Sequence, residues 1–390
     1  MRIPLIYSIR NLLTRKLTAF LTILGIALVV FVFSAVLMLA YGVKRTLVAT
    51  GYEENVIMLR KGSDNELPSN FPRDIANLVR TLPQIATGQN GKPIASNEVV
   101  TIINLLKIGT NDMGNVTVRG VSPEAMELRP AVQLTEGRMF AFGSREVIVG
   151  SSINSRFRGA KLGQTLKIGG DEWRIAGIFE ADGSGFESEV WGDAEQVMQT
   201  LNRLSTFSSM TVRLNHKGDF DALQDAMDRD RRFQQIRIER EKEYYERQSQ
   251  LMATFIRILG LVVTIIFSAG AMIGAMITMY ASVANRTVEI GTLRALGFKR
   301  RSVLATFLLE SIFLSLVGGL VGLLIASGLQ FFTISTINFG TVAELAFSFS
   351  LSLDIALWAL AFSVIMGVIG GFLPAARAAR LDIVTALRAS

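Results

Sequence analysis

Residues 258–285 read ILGLVVTIIFSAGAMIGAMITMYASVAN, 28 positions without a charge between Arg257 and Arg286. A helix of about 20 apolar residues crosses the hydrocarbon core of a bilayer, and a run of 18 or more marks a span. Three further runs pass that test. Residues 17–43 hold 27 uncharged positions, residues 355–376 hold 22, and residues 311–343 hold one span and part of a loop. A single such run fits a buried core helix, but four in 390 residues describe a membrane protein. Only 19% of the chain is charged, against about 25% in soluble domains. The first run is nearly twice the h-region of a cleaved signal, about 7–15 residues, so an uncleaved anchor is expected. Pro374 is expected to end the fourth span, because it has no N–H for the helix ladder.

Basic residues mark the cytoplasmic side of short loops. Residues 1–16 carry Arg2, Arg10, Arg15 and Lys16; residues 284–303 carry Arg286, Arg294, Lys299, Arg300 and Arg301 against Glu289; residues 374–390 carry Arg377, Arg380 and Arg388 against Asp382. Residues 17–283 balance 28 basic against 28 acidic groups, so the formal charge of +7 arises beside the spans. That is a topology signal, and it speaks for a lipid bilayer and not for nucleic acid. It predicts a multi-pass membrane protein with both termini cytoplasmic. The expected divisions are an amphipathic cytoplasmic segment at 1–16, spans at 17–43, 257–284, 303–332 and 354–374, and an extracytoplasmic stalk and domain at 44–256. A cytoplasmic loop helix at 285–302, an extracytoplasmic loop at 333–353 and a cytoplasmic tail at 375–390 complete them.

The external segment reads as mixed α/β. Compact or alternating apolar runs predict strands at 55–59, 99–105, 116–121, 146–150, 165–168, 173–179, 210–214 and 236–239. Helical patterns lie at 72–81, 151–157, 194–204 and 220–227. Residues 240–256 contain neither Gly nor Pro and run into the second span, which predicts a rigid helical stalk. A flexible tether would be rich in Gly, Ser or Pro.

Catalytic chemistry finds little support. There is no cysteine, and the single histidine, His216, precludes any mechanism that needs two imidazoles. No G-x-x-x-x-G-K-[ST] run is present to cradle ATP, and no G-x-S-x-G or H-E-x-x-H. Asp171, Glu172, Glu180, Asp182, Glu187 and Glu189 read as solvated surface. No catalytic residue, metal site or cofactor is therefore expected in the chain.

The loop after the second span is more telling. Ile290, Leu293 and Leu296 form an apolar stripe, followed by Gly297 and Phe298, while Arg286, Glu289 and Arg294 supply a polar side. A helix this short is marginal alone, so the headgroup layer or a protein groove should receive that stripe. The run Arg286-x-x-Glu289-Ile290-Gly291-x-Leu293-Arg294-Ala295-Leu296-Gly297-Phe298, with Phe307-Leu308-x-Glu310 and Gly318-Gly319, resembles the FtsX-like (MacB-type) permease domain of ABC transporters. Pro374 to Arg388 resembles that family's ending, except that Ile383 follows Asp382 where a proline is frequent. Glu136-Gly137-Arg138, Val147 to Gly150 and Gly163 to Gly170 are similar to the MacB-type periplasmic core. The resemblance covers essentially the whole chain.

It implies that the loop helix couples to a separate ATPase subunit through Arg286, Glu289, Ile290, Gly291, Leu293, Arg294, Leu296, Gly297 and Phe298. ATP and magnesium would then sit on that partner. Two permease chains, identical or paralogous, would pair to bind two ATPases. The expected function is ATP-driven movement of the external domain, exporting or extracting a small molecule, peptide, lipid or lipoprotein, with a periplasmic adaptor and outer-membrane duct as further partners. The alternative is an FtsX-like scaffold that activates a cell-wall enzyme.

Within the bilayer, small residues recur four apart: Gly270 and Gly274, Gly318 and Gly322, Gly367 and Gly371. Such spacing lets helices approach closely, within a chain or between chains. Glu310 is the one carboxylate well inside a span, and an arginine near the inner face, such as Arg15 or Arg377, is its expected partner.

Overall fold

The computed structural model describes residues 16–203, 205–338, 341–383 and Ala386. The expected amphipathic segment, apart from Lys16, and the C-terminal Leu387 and Arg388 lie outside the described residues. Helices are numbered in chain order: α1 Lys16–Val48, α2 Arg73–Val79, α3 Ala125–Leu128, α4 Ser151–Arg156, α5 Ala194–Thr200, α6 Phe220–Arg229, α7 Glu241–Asn285, α8 Thr287–Ala295, α9 Arg300–Ser327 and α10 Leu353–Arg380. Four of them, α1, α7, α9 and α10, are long and apolar enough to cross a membrane.

The chain divides into two compact units. One comprises residues up to Tyr41, Thr254–Phe332 and the chain from Phe349 onward; the other comprises Gly42–Ala253 and Thr333–Ser348. In the first unit α9 and α10 pack along their length, and α1 joins them through Ile26 and Val30 against Ala359. At one end Met279 and Val283 of α7, Ile290 of α8, Val303 and Phe307 of α9, and Ala375, Ala378 and Ala379 of α10 form a buried cluster. Pro374 lies inside α10, which runs on to Arg380, so the expected helix end is corrected. Proline deprives the Gly370 carbonyl of its helical donor, but membrane helices tolerate the loss where neighbouring helices pack closely, and Gly370 meets Met272 and Ala275 of α7.

The second unit is built on a mixed sheet. Its strands are β1 Asn55–Arg60, β2 Phe71–Pro72, β3 Ala95–Leu106, β4 Met113–Val121, β5 Gln133–Gly137, β6 Glu146–Gly150, β7 Thr165–Ile168, β8 Asp171–Glu180, β9 Glu189–Asp193, β10 Thr206–Phe207, β11 Ser209–Arg213 and β12 Ile236–Arg240, with β13 Thr333–Ile337 and β14 Glu344–Ser348 as a separate hairpin. The large sheet runs β12-β1-β11-β3-β4-β9-β6-β8-β5, and β7 adds to β8. β4–β9 and β6–β8 are parallel pairs, each spanned by chain long enough for a crossover. Val56, Met58, Val116, Val118, Val147, Val149 and Trp173 fill its core with Phe157 and Val197 from the helical side.

All eight expected strands are present, β6 and β7 with the same limits. β2, β5, β9, β10 and the β13–β14 hairpin were not legible. The expected loop at 333–353 contains that hairpin, paired from Thr333↔Ser348 to Ile337↔Glu344. Helix α7 is one unbroken helix of 45 residues, about 68 Å at 1.5 Å per residue.

Candidate functional site

Arg286 stands where α7 ends and α8 begins, with φ −113 and ψ 15. Its Nε donates to Glu289 Oε2 at 3.1 Å and its Nη1 to Glu310 Oε2 at 3.1 Å. Its guanidinium also lies 5.0 Å from the Phe307 ring centroid. Arg286 and Glu310 are only 6% and 5% exposed. Among the described residues Glu310 meets Arg286, because the bend into α8 brings Arg286 beside α9, while Arg377, one of the two expected partners, lies over the Tyr280 ring. Arg15 is outside the described residues.

Two more contacts hold α8 to its own bundle. Ile290 enters the cluster with Val303, Phe307 and Ala375, and Arg294 Nη1 donates to the Ala379 carbonyl at 3.4 Å. Ile290 and Gly291 are buried, so they are not outward contacts, and the chain itself covers the Ile290 end of the apolar stripe. The outward face is Val288, Glu289, Thr292, Ala295 and Leu296, with Leu296 67% exposed. These positions are three and four apart and share one side of the helix. Gly297 stops the helix: at φ +94 it takes the left-handed turn, and Phe298 N–H reaches back to the Leu293 carbonyl at 3.2 Å. Leu293 and Phe298 are half-buried.

The small-residue pairs separate into two kinds. A Cβ on Gly318 or Gly322 would collide with Ile23, Ile26 or Ala27 of α1, and one on Gly367 or Gly371 with Ser315 or Ser311 of α9. Those four positions serve packing within the chain. Gly270 and Gly274 on α7 have nothing within 4 Å, so they make no such seam in this chain.

In the second unit the charges converge. Arg119 on β4 bonds Glu66 at 2.7 Å, Glu98 of β3 at 2.6 Å and Glu189 of β9 at 2.8 Å. Arg129, after α3, bonds Glu98 at 2.6 Å and Glu241, the first residue of α7, at 3.2 Å. Asn55 Nδ2 and the Tyr52 N–H also donate to Glu241. Phe186 lies under both guanidiniums, 5.6 Å from Arg119 and 4.6 Å from Arg129. Burial pushes the Glu98 carboxyl up, yet Arg129 and Arg119 together hold it below the usual carboxylate range. Burial also pushes the Glu241 carboxyl up, and there it prevails over Arg129 and the hydrogen bonds from Asn55 and the Tyr52 N–H. A cavity of about 30 Å³ beside Arg119, Glu66 and Tyr245 has room for a water or two and is far below the 300–1,000 Å³ of a ligand pocket.

The same unit holds the hairpin. Glu344 accepts from Lys107, from Arg156 at 2.9 Å and from Ser335. The Ala346 N–H donates to Ser188 Oγ, and Asn115 Nδ2 to the Val342 carbonyl. None of these residues was foreseen. The legible signal was a charge inside an apolar strand, as with Glu98 and Arg119. The carboxylates expected to be surface divide among separate tasks: Glu189 pairs with Arg119, Glu187 accepts from the Ala181 and Gly183 N–H groups, and Asp171 pairs with Arg145. No group of three potential metal ligands occurs among the described residues.

Four membrane-capable helices, with an α/β unit inserted after the first, define a polytopic permease-type membrane protein. The MacB-like periplasmic core domain matches residues 19–230, more than half of the chain, and the FtsX-like permease C-terminal domain matches residues 261–383. The chain belongs to this family of MacB-type, FtsX-like ABC transporter permeases. It is 26% identical over 399 residues to the macrolide export ATP-binding/permease protein MacB of Agrobacterium fabrum, covering 95% of this chain and 58% of that protein. It thus spans little more than half the length of that relative. The ABC transporter permease YknZ of Bacillus subtilis is 27% identical, over 98% of this chain and 97% of its own. The crystal structure of the periplasmic region of MacB from Actinobacillus actinomycetemcomitans is 14% identical, covering 50% of this chain and 92% of its own, with a TM-score of 0.38.

Proposed function

We propose that the chain is the non-catalytic membrane subunit of an ABC-type transporter, in which a separate ATPase subunit binds ATP and magnesium and drives the external unit mechanically. It sits in the bacterial inner membrane with both ends and α8 in the cytoplasm and the α/β unit outside. The observation that carries this reading is α8 itself, held to the bundle at Arg286, Ile290 and Arg294 while Val288, Glu289, Thr292 and Leu296 stay outward. A surface helix fixed at three points passes a push to the spans instead of bending under it. Two such chains would face two ATPases. The cavity beside Arg119, about 30 Å³ among the described residues, is too small for cargo, which favours cargo handled outside or in the outer leaflet, whether a small molecule, a peptide, a lipid or a lipoprotein, with a periplasmic adaptor. The test is co-purification from mild detergent. Leu296→Asp and Glu289→Arg are expected to lose the ATPase subunit while the chain stays folded, and retention of the subunit by both variants would overturn the docking surface.

A further inference from the structure

From Leu251 to Asn285, α7 carries a single charged side chain, Arg257. It is exposed, and among the described residues no hydrogen bond or ion pair reaches its guanidinium. Ile258, Leu259 and Leu261 beside it are apolar and more than half exposed. Thr254, three residues back and so on the same side of the helix, is exposed too. On a soluble surface water would satisfy such an arginine. On a membrane helix the open apolar side chains face lipid, and a guanidinium held in hydrocarbon is costly unless it reaches the headgroups.

Its height fits that requirement. The rise from Arg257 to Arg286 is about 44 Å at 1.5 Å per residue, and a bilayer with its headgroups is about 40–45 Å thick. With Arg286 at one headgroup layer, Arg257 meets the other. A second helix marks the same level. Val36 of α1 occupies the space where a Cβ on Gly260 would sit, and Thr22 Oγ1 lies 2.9 Å from Thr278 Oγ1, so α1 and α7 run antiparallel. Counted from the Val36–Gly260 contact, Tyr41 and Arg257 stand within about 3 Å of one height. Tyr41 is exposed, and tyrosines at the end of an apolar span settle at the headgroups.

We infer that Arg257, with Thr254 beside it and Tyr41 at its level, is a binding site for the phosphate of an anionic, amine-free phospholipid in the outer leaflet. A guanidinium grips a phosphate through two parallel N–H···O bonds. Charge selects the lipid. No carboxylate pairs with Arg257 among the described residues, so a singly negative phosphodiester neutralises it. A zwitterionic headgroup brings its own ammonium and leaves the positive charge standing. Because α7 is unbroken from Glu241 to Asn285, a headgroup held at Arg257 sets the height at which the whole helix rests in the bilayer. This inference rests on the orientation proposed above, which puts this end of α7 in the outer leaflet.

The chain has no cysteine, so a benzophenone photoprobe can be attached at Thr254→Cys alone. The full-length chain is irradiated in nanodiscs of equal phosphatidylglycerol and phosphatidylethanolamine, and the lipid adducts are counted by mass. Phosphatidylglycerol adducts are expected to outnumber the others at least threefold, falling to parity when Arg257→Ala is added. Arg257→Lys keeps a cation that can still meet phosphate and should hold the ratio above parity. The same probe at Leu324→Cys, an exposed position on α9 far from its basic residues, should give a ratio that Arg257→Ala leaves unchanged. Parity at Thr254→Cys with Arg257 intact overturns the site. So does an Arg257→Ala ratio equal to the parent's, or adducts formed mainly with a second copy of the chain. A membrane-impermeant maleimide should label Thr254→Cys from outside right-side-out spheroplasts. Protection there, with the lipid ratio intact, overturns the orientation alone.

Discussion

Arg129 Nη2 meets Glu241 Oε1 at 3.2 Å with neither side chain exposed. Glu241 opens α7, the longest helix, so its first turn is tied by charge into the middle of the external sheet. Asn55, Tyr52 and Glu98 complete the joint.

Removing one partner of a buried ion pair costs about 3–5 kcal/mol, because the other charge stays behind in a poor solvent. Glu241→Ala is therefore expected to lower the stability of the α/β unit by about that much. Glu241→Gln keeps an acceptor for Asn55 and the Tyr52 N–H and should cost less. Chemical unfolding followed through the buried Trp173 and Trp191 measures both, and equal midpoints for Glu241→Ala and the parent would sink the joint.

Glu53 offers a pH prediction. Hydrogen bonds from Lys217 at 2.7 Å and Lys242 at 2.6 Å hold its carboxyl down at about 2. Because the folded value lies below the ordinary 4.5, the contribution of this contact is fully present above pH 4.5 and fades as pH falls toward 2. NMR titration should find Glu53 far more acidic than an ordinary glutamate. Lys217→Ala together with Lys242→Ala should return it toward 4.5, and added salt should weaken the effect, since the groups are exposed.

Two glycine substitutions should separate sharply. Gly322→Val drives a branched side chain into Ala27 and Phe31 of α1, and overpacking of this kind costs about 1–3 kcal/mol. Gly274→Ala meets nothing within 4 Å and should leave the melting of a detergent-solubilised monomer unchanged. A matching loss in both would mean that the α1–α9 seam is not what makes Gly322 sensitive.

Glu344→Ala removes the acceptor shared by Lys107, Arg156 and Ser335. Amide exchange in β13 and β14 is expected to rise by at least tenfold, while exchange in β6 and β8 stays as it was. Protection in the hairpin equal to that of the parent would assign its order to its own strand pairing.

Sequence periodicity discloses what a single segment encodes. The spans follow from uninterrupted apolar runs, and β6 and β7 from compact apolar stretches bounded by turn residues. The hairpin at Thr333–Ser348 escaped, because ISTINF and ELAFSF continue the apolar character of the span before them and only partner strands tell them apart. β5 escaped because Gln133–Gly137 is exposed throughout and borrows its strand geometry from β8. On the candidate site, the stripe of Ile290 was legible as apolar, but what would cover it was not. That depends on α9 and α10 folding back beside α8, a long-range fact. The pairing of Arg119 was hidden for the same reason: its partners Glu98 and Glu189 stand 21 and 70 residues away along the chain.

The meeting of α9 with α10 has a mechanical consequence. Gly319 faces Ser363, Ser315 faces Gly367 and Ser311 faces Gly371, so both helices present a tooth of minimal size every four residues. The next position along α10 is Ala375, also small. Sliding by a fraction of a turn would jam side chain against backbone, whereas a slip of four residues, about 6 Å, again sets small against small. This pair of helices is notched like a pawl and rack, able to rest in discrete settings and not between them.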